Sequence, residues 1–244
     1  MYRFFEEANN LKDDKIYIFD ENYKHIVKVL RIDSKEEFEV VIDGQIYLVK
    51  IEEDAQSYLV CQILARRKGD NESPLKINLY QGLPKSDKLE LIIQKTIEWG
   101  VFSITPFNSE RTIVKWDQKK EKKKLKRYEE IAKAASKQAK RDLIARVNPV
   151  IDFKKMAEQI KGQPSILAYE LRGEDFKKVL VSLGEKSIDE VNVIVGPEGG
   201  FSEEEVEILR EAGAQVVNLG NRILRTETAA ITLTSIIQYE LGDL

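Results

Sequence analysis

The first part of the chain alternates short apolar runs with polar turns. The runs are rich in β-branched and aromatic residues and lie at 15–19, 37–42, 45–51 and 57–64. Asp43-Gly44 is a turn signal between two of them. Within 21–32, the apolar residues at 26, 29 and 30 follow helical spacing. This pattern predicts a small β-barrel with one short helix.

Beyond residue 70 the strands alternate with longer helices. The polar segment 66–74 contains Gly69 and Pro74 and interrupts both periodicities, so it predicts a linker. Strands are predicted at 75–81, 101–107, 165–170, 191–195 and 215–219. Helices are predicted from Ser86 or Asp87 onward and at 119–140, 174–183, 203–212 and 227–240. Such alternation is typical of a largely parallel sheet covered by helices on both faces.

Length and composition fit two domains. The 244 residues divide into a β-barrel domain at 1–70 and an α/β domain at 71–244. The chain is 42% hydrophobic and 33% charged, and no apolar run approaches the roughly 18 residues needed to span a membrane. The amino-terminal residues include early acids and no apolar signal segment. We therefore expect a cytoplasmic protein without a membrane partner.

Cysteine and histidine are each present once. Cys61 excludes an internal disulfide and a thiol cluster, and its place in a strand-like run suggests a small buried side chain. His25 alone excludes a multi-histidine metal site. We expect no bound metal.

Charge is unevenly distributed along the chain. The net charge is −3, yet residues 115–141 hold 12 Lys and Arg against 4 Asp and Glu. Residues 142–244 hold 11 basic against 18 acidic residues. One basic segment in an acidic chain favours a local polyanion-binding face, although a solvated helix face would show the same composition.

A glycine-rich turn follows the predicted strand at 191–195. Gly196-Pro197-Glu198-Gly199-Gly200 precedes Ser202 and Glu205, which stand in capping-box relation at a helix start. Such a turn lets a ligand approach the backbone closely. It carries carboxylates and lacks the lysine of a phosphate-binding loop, which disfavours ATP and GTP. A ligand with hydroxyls, a neutral purine and a positive centre, such as S-adenosylmethionine, fits better than a triphosphate.

A second glycine closes the next predicted strand. Gly220 follows "VVNL" and leads into "NRILRTETAA", where Thr226 or Thr228 is placed to cap the last helix. If the two strands are neighbours, their glycine bends form a crevice at the carboxyl edge of the sheet, where α/β proteins bind ligands.

These motifs resemble a known family. The stretches "IVGPEGGFSEEEVE", "LGNRILRTETAA", "LPKSDKLELIIQKTIEWGVFSITPF", "SERTIVKW", "RFF" and "HIVKVLR" are similar to those of the bacterial small-subunit ribosomal RNA uridine-N3 methyltransferases, the RsmE type of the SPOUT superfamily. The resemblance covers nearly the whole chain. It implies a PUA-like β-barrel, and a catalytic α/β domain whose carboxyl-terminal segment forms a deep trefoil knot.

The resemblance also implies a function and a cofactor site. It implies a homodimer that uses S-adenosylmethionine to methylate N3 of one uridine of 16S ribosomal RNA in the small subunit. By motif, the cofactor residues are Leu167, Ala168, Tyr169, Glu170, Gly196, Gly199, Gly200, Leu219, Gly220, Arg222, Ile223, Leu224, Arg225, Thr226 and Thr228.

The chemistry of N3 methylation suggests catalytic residues. Uracil N3 must lose a proton, and the resulting charge on the base needs a cation nearby. Arg225 or Arg222 suits that cation, since arginine stays protonated. Glu227 or Glu170 suits the proton acceptor. A salt bridge at the helix start or in a dimer interface is the alternative role for Arg225.

Basic residues are the candidates for RNA contact. Lysine and arginine in the basic segment would position phosphates rather than read sequence. In the barrel, the candidates match family motif positions. The complete set is Arg3, His25, Arg31, Arg111, Lys122, Lys123, Lys126 and Arg141.

Three other functions stay open at this point. The chain could be a SPOUT methyltransferase with a different RNA target, or a non-catalytic RNA-binding module of ribosome assembly. A nucleotide-dependent enzyme on a Rossmann-like sheet is the third, and the acidic glycine turn speaks against it.

Overall fold

A computed structural model describes residues 1–114, 116–171 and 173–244. Lys115, which belongs to the basic segment and to the "SERTIVKW" motif, lies outside the described residues. The described chain forms two compact units. The first comprises Met1–Glu72 and Ser136–Ile144, and the second comprises Ser73–Ala135 and Ala145–Leu244.

The first unit is built on one six-stranded sheet. Its strands are β1 (Arg3–Phe5), β2 (Leu11–Lys12), β3 (Lys15–Ile18), β4 (Glu37–Ile42), β5 (Gln45–Asp54) and β6 (Leu59–Lys68). They are ordered β1-β4-β5-β6-β3-β2, and every pair except β1 with β4 is antiparallel. Asp43 and Gly44, both at positive φ, form the turn between β4 and β5. The four predicted strands are present, whereas the short β1 and β2 were not predicted.

The predicted single helix of this unit has two geometries. Helix α1 (Asp20–Lys24) continues as a π-helix over His25–Leu30. Arg31 ends it in the left-handed conformation with φ of 53°. Ile26 is fully buried in the core and Leu30 is half-buried, whereas Val29 is 69% exposed, so only part of the apolar spacing in the sequence reflects packing.

The core of the first unit is apolar and excludes its only thiol from solvent. Phe4, Ile16, Phe38 and Val40 pack together with Cys61, which is fully buried. Burial raises the pKa of the Cys61 thiol to about 12. The side chain is therefore a small core residue, as its place in a strand suggested.

The second unit is an α/β fold. Its strands are β7 (Lys76–Gly82), β8 (Ser103–Asn108), β9 (Arg146–Val147), β10 (Ile151–Asp152), β11 (Ser165–Ala168), β12 (Glu174–Asp175), β13 (Glu190–Val195) and β14 (Gln215–Asn218). The helices after Ser73 are α2 (Lys88–Glu98), α3 (Gln118–Gln138), α4 (Phe153–Ile160), α5 (Phe176–Glu185), α6 (Glu203–Glu211) and α7 (Thr226–Leu241).

All strand pairs of this sheet are parallel. The order is β10-β8-β7-β13-β11-β14-β12, and β9 also pairs with β8. The predicted parallel sheet is confirmed. Helix α4 was not predicted, although Met156, Ala157 and Ile160 repeat at helical spacing and Asp152 caps its first turn.

Successive residues of the central strands pack alternately into two separate cores, one on each face of the sheet. Ile166 of β11 and Val193 of β13 pack in a cluster with residues of α2, α3, α5 and α7. Their neighbours Leu167 and Ile194 pack in another cluster with residues of α4 and α6. Because successive side chains of a strand point to opposite faces, continuous apolar runs are needed to fill both cores.

Candidate functional site

Three strand ends meet around one cavity of about 650 Å³. In a parallel sheet, the carboxyl ends of β11, β13 and β14 lie at one edge. The sequence raised the possibility that β13 and β14 are neighbours. Instead, both pair with β11, which lies between them. The cavity is therefore bounded by the residues after three strands, and this explains why the segment after β11 belongs to the site.

Most of the predicted cofactor residues line this cavity. They are Ala168, Tyr169, Glu170, Gly196, Gly200, Leu219, Gly220, Arg222, Ile223, Leu224, Arg225 and Thr226. The other three lie elsewhere. Leu167 is fully buried in the core beneath the strand end, and Thr228 is exposed on α7. Gly199 lies beside Arg111, whose Nη1 donates a hydrogen bond to the Gly199 carbonyl at 3.2 Å.

The glycine turn after β13 is fixed from both ends. The Gly200 amide donates to the Pro197 carbonyl at 2.9 Å, and Gly200 has φ of +65°, a conformation that favours glycine. Helix α6 then begins with the predicted capping box, in which the Ser202 hydroxyl accepts from the Glu205 amide and the Glu205 carboxylate accepts from the Ser202 amide. The turn is thus anchored on a capped helix.

The bend after β14 is organised by one amide side chain. Asn218 Oδ1 accepts a hydrogen bond from the Gly220 amide at 2.6 Å, and Asn218 Nδ2 donates to the Glu170 carbonyl at 3.2 Å. Asn218 thereby ties the end of β14 to the end of β11. Gly220 has φ of +101° and open space where a Cβ would stand. The second bend therefore leaves its backbone accessible.

A hydroxyl joins the two bends. The predicted capping of α7 by Thr226 or Thr228 is wrong, because the N-cap residue is Arg225 and no side chain caps the helix. Thr226 is the first residue of the helix, and its hydroxyl donates to the Gly196 carbonyl at 2.6 Å. A fully buried glutamine, Gln81 at the end of β7, donates to that hydroxyl at 2.9 Å.

The glutamates of the glycine turn have different surroundings. Glu198 accepts hydrogen bonds from the Lys85 amide at 3.2 Å and lies 2.9 Å from the Lys88 ammonium of α2. Burial opposes ionisation of Glu198, but these partners outweigh it and lower the pKa of its carboxyl. The same pairing raises the pKa of Lys88, first through Glu198 and then through Glu227. Glu203 and Glu204 are exposed.

Lys88 changes the electrostatic argument drawn from the sequence. The turn itself contains no lysine, yet Lys88 lines the cavity and contacts Glu198. One carboxylate of the turn is therefore neutralised by a residue more than 100 positions earlier. In the folded protein the net negative charge at the turn is smaller than its own residues suggest. The charge of the turn therefore argues less strongly against an anionic ligand.

The two candidate proton acceptors differ in access. Glu170 is exposed and lines the cavity, and its Oε1 lies 3.3 Å from where a Cβ on Gly200 would stand. Glu227 is absent from the lining, and its Oε2 is buried without a hydrogen bond, 3.2 Å from the Lys88 ammonium. The geometry favours Glu170 for contact with a ligand.

The predicted arginines and an apolar side chain are exposed along the bend. Arg222 and Arg225 both line the cavity and are exposed. Ile223 between them is 86% exposed, and Leu224 is half-buried against the core. The bend therefore presents two cations and an apolar surface to the cavity.

The predicted RNA-binding residues fall into two groups. His25, Arg31, Arg111, Lys122, Lys123 and Lys126 are exposed. Arg3 and Arg141 are buried, so the prediction of phosphate contact is not supported for them. Arg3 contacts Glu39 at 2.8 Å, Asp142 at 2.7 Å and the Lys140 carbonyl, and Arg141 pairs with Glu72. Removing one partner of such a buried pair would be destabilising, because it would leave the other charge buried and unpaired.

Several residues of the site were not among the predicted cofactor residues. They are Lys88, Gln81, Asn218, Phe201, Val195, Pro197, Glu198, Asn221 and Ala229. Position next to a glycine bend was a usable signal for Asn218 and Phe201. Lys88 and Gln81 belong to other elements, and only the packing of those elements brings them here.

Neither a metal-binding cluster nor a membrane-crossing helix is found among the described residues. Within the described residues, no group of three or more His, Cys, Asp and Glu side chains is arranged to hold a metal ion. No helix among these residues combines the length and apolar character of a membrane-crossing segment.

Two family models match the chain. One, described as an RNA methyltransferase domain, matches residues 71–238. The other, described as an RNA methyltransferase PUA domain, matches residues 13–64.

Curated relatives match over nearly the full length. The ribosomal RNA small subunit methyltransferase E of Bacillus subtilis is 34% identical, with 98% of this chain and 97% of the relative covered. The protein of the same name from Mesomycoplasma hyopneumoniae is also 34% identical, with 96% and 97% covered.

Solved structures share the fold of the whole chain. A ribosomal RNA small subunit methyltransferase E from Neisseria gonorrhoeae, bound to S-adenosyl methionine, is 31% identical with a TM-score of 0.86, covering 100% of this chain and 99% of that one. A Legionella pneumophila protein solved in complex with SAM is 30% identical with a TM-score of 0.89, covering 100% and 99%.

Proposed function

The chain belongs to the ribosomal RNA small subunit methyltransferase E family, and from this premise we propose that it methylates N3 of one specific uridine of 16S ribosomal RNA with S-adenosylmethionine as methyl donor. The observation that supports this proposal most directly is the cavity at the ends of β11, β13 and β14. Its position matches the motifs through which the sequence resembles the family. A ribosomal RNA substrate implies a cytoplasmic enzyme.

The residues around the cavity fit S-adenosylmethionine. Two bends with glycine at positive φ, at Gly200 and Gly220, bring backbone groups to the cavity surface, where they can pair with the edge of a purine. Leu219, Ile223 and Leu224 offer apolar contacts for its face. The Glu170 carboxylate suits ribose hydroxyls or a positive sulfur. The mixture of apolar, backbone and acidic groups agrees with an uncharged purine joined to a cationic centre.

We assign the cofactor contacts to the residues that line the cavity. They are Ala168, Tyr169, Glu170, Gly196, Gly200, Leu219, Gly220, Arg222, Ile223, Leu224, Arg225 and Thr226. Leu167, Gly199 and Thr228 do not line the cavity, so we assign them no contact with the cofactor.

Positioning and electrostatics provide the catalysis in this proposal. When bound, S-adenosylmethionine would supply a methyl group whose bond to the positively charged sulfur breaks as uracil N3 bonds to the methyl carbon, leaving a neutral thioether. The residues around the cavity would hold the two reactants in line. Glu170 accepts the N3 proton at its carboxylate, since it is exposed at the cavity. Arg225, assisted by Arg222, stabilises the charge that develops on O2 and O4 of the uracil. Glu227 is the weaker candidate for proton acceptance, because its Oε2 is buried.

We propose that exposed basic residues hold the RNA. Lys122, Lys123 and Lys126 of α3 are exposed and form no ion pair with other described residues. Arg111, His25 and Arg31 are also exposed and complete the set. These side chains would position phosphates, and the uridine would be selected at the catalytic cavity.

The finer architecture is part of the same proposal. We propose a PUA-like barrel over 1–70, a catalytic domain over 71–244 with a trefoil knot in its carboxyl-terminal segment, and a homodimer. The match to a PUA domain model over residues 13–64 supports the barrel, and the resemblance of the sequence motifs to the family implies the knot and the homodimer.

Titration with the methyl donor tests the cofactor. We expect one molecule of S-adenosylmethionine to bind per chain in calorimetry, and ATP to bind far more weakly. Gly220→Val should weaken S-adenosylmethionine binding, because valine is strained at a φ of +101°. Gly44→Val, at a turn of the first unit with φ of +75°, is the matched control. A wild-type protein that binds no S-adenosylmethionine, with or without RNA, would favour the non-catalytic assembly module.

Primer extension on ribosomal RNA tests the target. A methyl group on N3 blocks Watson–Crick pairing, so we expect a reverse-transcription stop at one 16S uridine, lost on deletion of the gene and restored by the wild-type chain. Glu170→Gln should fail to restore it, whereas Glu174→Gln, an exposed glutamate nearby in sequence, should succeed. An unchanged stop pattern in the deletion strain would reject this target and leave a SPOUT enzyme of other specificity.

A further inference from the structure

A short chain of hydrogen bonds connects the two bends of the cavity. The Thr226 hydroxyl donates to the Gly196 carbonyl at 2.6 Å, so the first residue of α7 holds the first residue of the glycine turn. The same hydroxyl accepts from Gln81 Nε2 at 2.9 Å. Gln81 is fully buried and Thr226 is 6% exposed, so water competes little with these bonds.

The geometry of these hydrogen bonds shows which group donates and which group accepts in each of them. A threonine hydroxyl has one hydrogen, which points to Gly196, and the hydroxyl must therefore accept from Gln81. The second hydrogen of Gln81 Nε2 reaches the Gly82 carbonyl at 2.9 Å, and the Gly196 carbonyl lies farther from the same nitrogen, at 3.5 Å. The Thr226 hydroxyl is thus used within the protein and has no hydrogen left for a ligand.

The end of β7 packs directly against the glycine turn. A Cβ on Gly82 would stand 2.4 Å from both the nitrogen and Cδ of Pro197. Three segments therefore meet with no room for displacement: Gln81 and Gly82, then Gly196 and Pro197, then Thr226. Close packing of this kind transmits a small local change to the backbone on either side.

We infer that Gln81 and Thr226 are positioning residues that set the spacing between the two bends of the cofactor cavity and act through Gly196. The inference rests on the proposed function, since it concerns the affinity for S-adenosylmethionine. Without the hydroxyl, the Gly196 carbonyl keeps only the long 3.5 Å hydrogen bond from Gln81 Nε2, and the bend after β14 loses its tie to the turn after β13. The bends would then sample several separations, and each binding event would have to restore one of them.

The test measures the affinity for S-adenosylmethionine in four variants. Thr226→Val removes the hydroxyl at nearly constant volume, and Thr226→Ser keeps it. Gln81→Leu removes the donor to the hydroxyl. Thr228→Val is the matched control, since Thr228 is an exposed threonine of the same helix turn. We expect the dissociation constant to rise about 5-fold to 30-fold in Thr226→Val and Gln81→Leu, which corresponds to one buried polar group left without its partner.

Steady-state kinetics and a double variant separate positioning from general damage. We expect the KM for S-adenosylmethionine to rise while kcat at saturation stays within about 3-fold of wild type, as for a loss of uniform binding. The double variant Thr226→Val with Gln81→Leu should weaken binding by less than the product of the single effects, because both substitutions break one chain of bonds. Thermal unfolding midpoints are measured for every variant.

The outcomes are distinct. Wild-type affinity in Thr226→Val overturns the inference while the proposed function stands. Equal weakening in Thr228→Val, or a weakening that follows lowered unfolding midpoints and is not rescued by Thr226→Ser, also overturns it, because the effect would then be one of helix stability. A wild-type protein that binds no S-adenosylmethionine contradicts the proposed function itself.

Discussion

Single residues explain how a glycine turn rich in glutamates can lie beside a ligand cavity. Glu198 is paired with Lys88 and accepts from a backbone amide. Glu205 is 6% exposed, and its carboxylate accepts hydrogen bonds from the Ser202 and Glu110 amides. Carboxylates with such partners are compensated within the protein and add little repulsion toward a ligand. Glu198 and Glu205 thus stabilise the turn through contacts within the protein, whereas Glu203 and Glu204 are exposed.

The pairing of Glu198 predicts a pH dependence of stability. Its pKa is lowered in the folded state from the ordinary 4.5, so its stabilising contribution is complete above about pH 4.5 and is lost as the pH falls through the folded value. Near neutral pH we expect the unfolding free energy of the wild type to exceed that of Glu198→Gln by about 0.5 kcal/mol, because the ion pair is partly exposed. The difference should shrink below pH 4.5.

Urea denaturation between pH 7 and pH 3.5 measures this difference. The matched control is Glu203→Gln, an exposed glutamate in the first turn of α6. A constant gap between wild type and Glu198→Gln down to the lowest pH would contradict the assignment of Glu198 as a paired carboxylate.

Gly82 predicts a large effect from a single methyl group. A Cβ at this position would lie 2.4 Å from the backbone nitrogen and Cδ of Pro197. Because backbone atoms cannot move aside as a flexible side chain can, Gly82→Ala must displace the glycine turn. We expect a loss of about 2 kcal/mol or more in unfolding free energy, together with weaker binding of S-adenosylmethionine. Gly184→Ala in α5, where the contact is a flexible Leu241 side chain, should be nearly neutral. Equal stability of the two variants would show that the packing against Pro197 is loose.

At the scale of elements, the helix starts differ in how they are held. Helices α4, α5 and α6 begin with Asp152, Asp175 and Ser202, whose side chains accept from amides of the first turn. Helix α7 begins after Arg225 without a side-chain cap. The first three helices are thus stabilised locally, whereas the start of α7 depends on contacts with the glycine turn. The stability of the first turn of α7 is therefore coupled to the conformation of the glycine turn at the cavity.

The capping box of α6 predicts a moderate loss of stability. Ser202→Ala removes the acceptor for the Glu205 amide and should lower the unfolding free energy by about 1 kcal/mol. Glu204→Gln, at the next exposed position outside the box, serves as the control and should change it by a few tenths of a kcal/mol. Chemical denaturation at pH 7 compares the two. Equal effects would mean that the box adds nothing beyond first-turn electrostatics.

For the whole molecule, the distribution of charge decides where a polyanion can bind. The net charge is −3, and residues 115–141 are the basic exception. Part of that charge is used internally, since Lys124 and Arg127 pair with Glu90 of α2. The lysines left exposed on α3 form a smaller basic surface than the composition suggested. Its attraction for RNA should accordingly be local and sensitive to salt.

The salt dependence of RNA binding tests this surface. Replacing Lys122, Lys123 and Lys126 by glutamine should weaken binding and lower the magnitude of the slope of log K against log salt by about 2 to 3, one contact each. The control replaces Lys154, Lys155 and Lys161, which are exposed lysines in or next to α4. Fluorescence anisotropy with a 16S fragment at several salt concentrations gives both slopes. An unchanged slope in the first variant would place the RNA on another surface.

The sequence by itself determined the elements and the position of the bends. Apolar spacing is a local property, so the strand at Glu37–Ile42 and the helix at Thr226–Leu241 could be predicted within a few residues. Gly200 and Gly220 could be predicted as bends because glycine is selected by backbone conformation alone. The two-residue strands and β1 were missed, since so short a segment carries no period.

The tertiary structure alone decided which distant residues complete the site and which do not reach solvent. The order that puts β11 between β13 and β14 depends on the packing of both helical layers, and no local pattern encodes it. Lys88 and Gln81 reach the cavity from other elements, and Arg3 is drawn inward by Glu39 and Asp142. The conformational preference of a residue depends on its neighbours in the sequence, and the sequence therefore predicts it. The partners of a side chain depend on long-range contacts, and only the tertiary structure shows them.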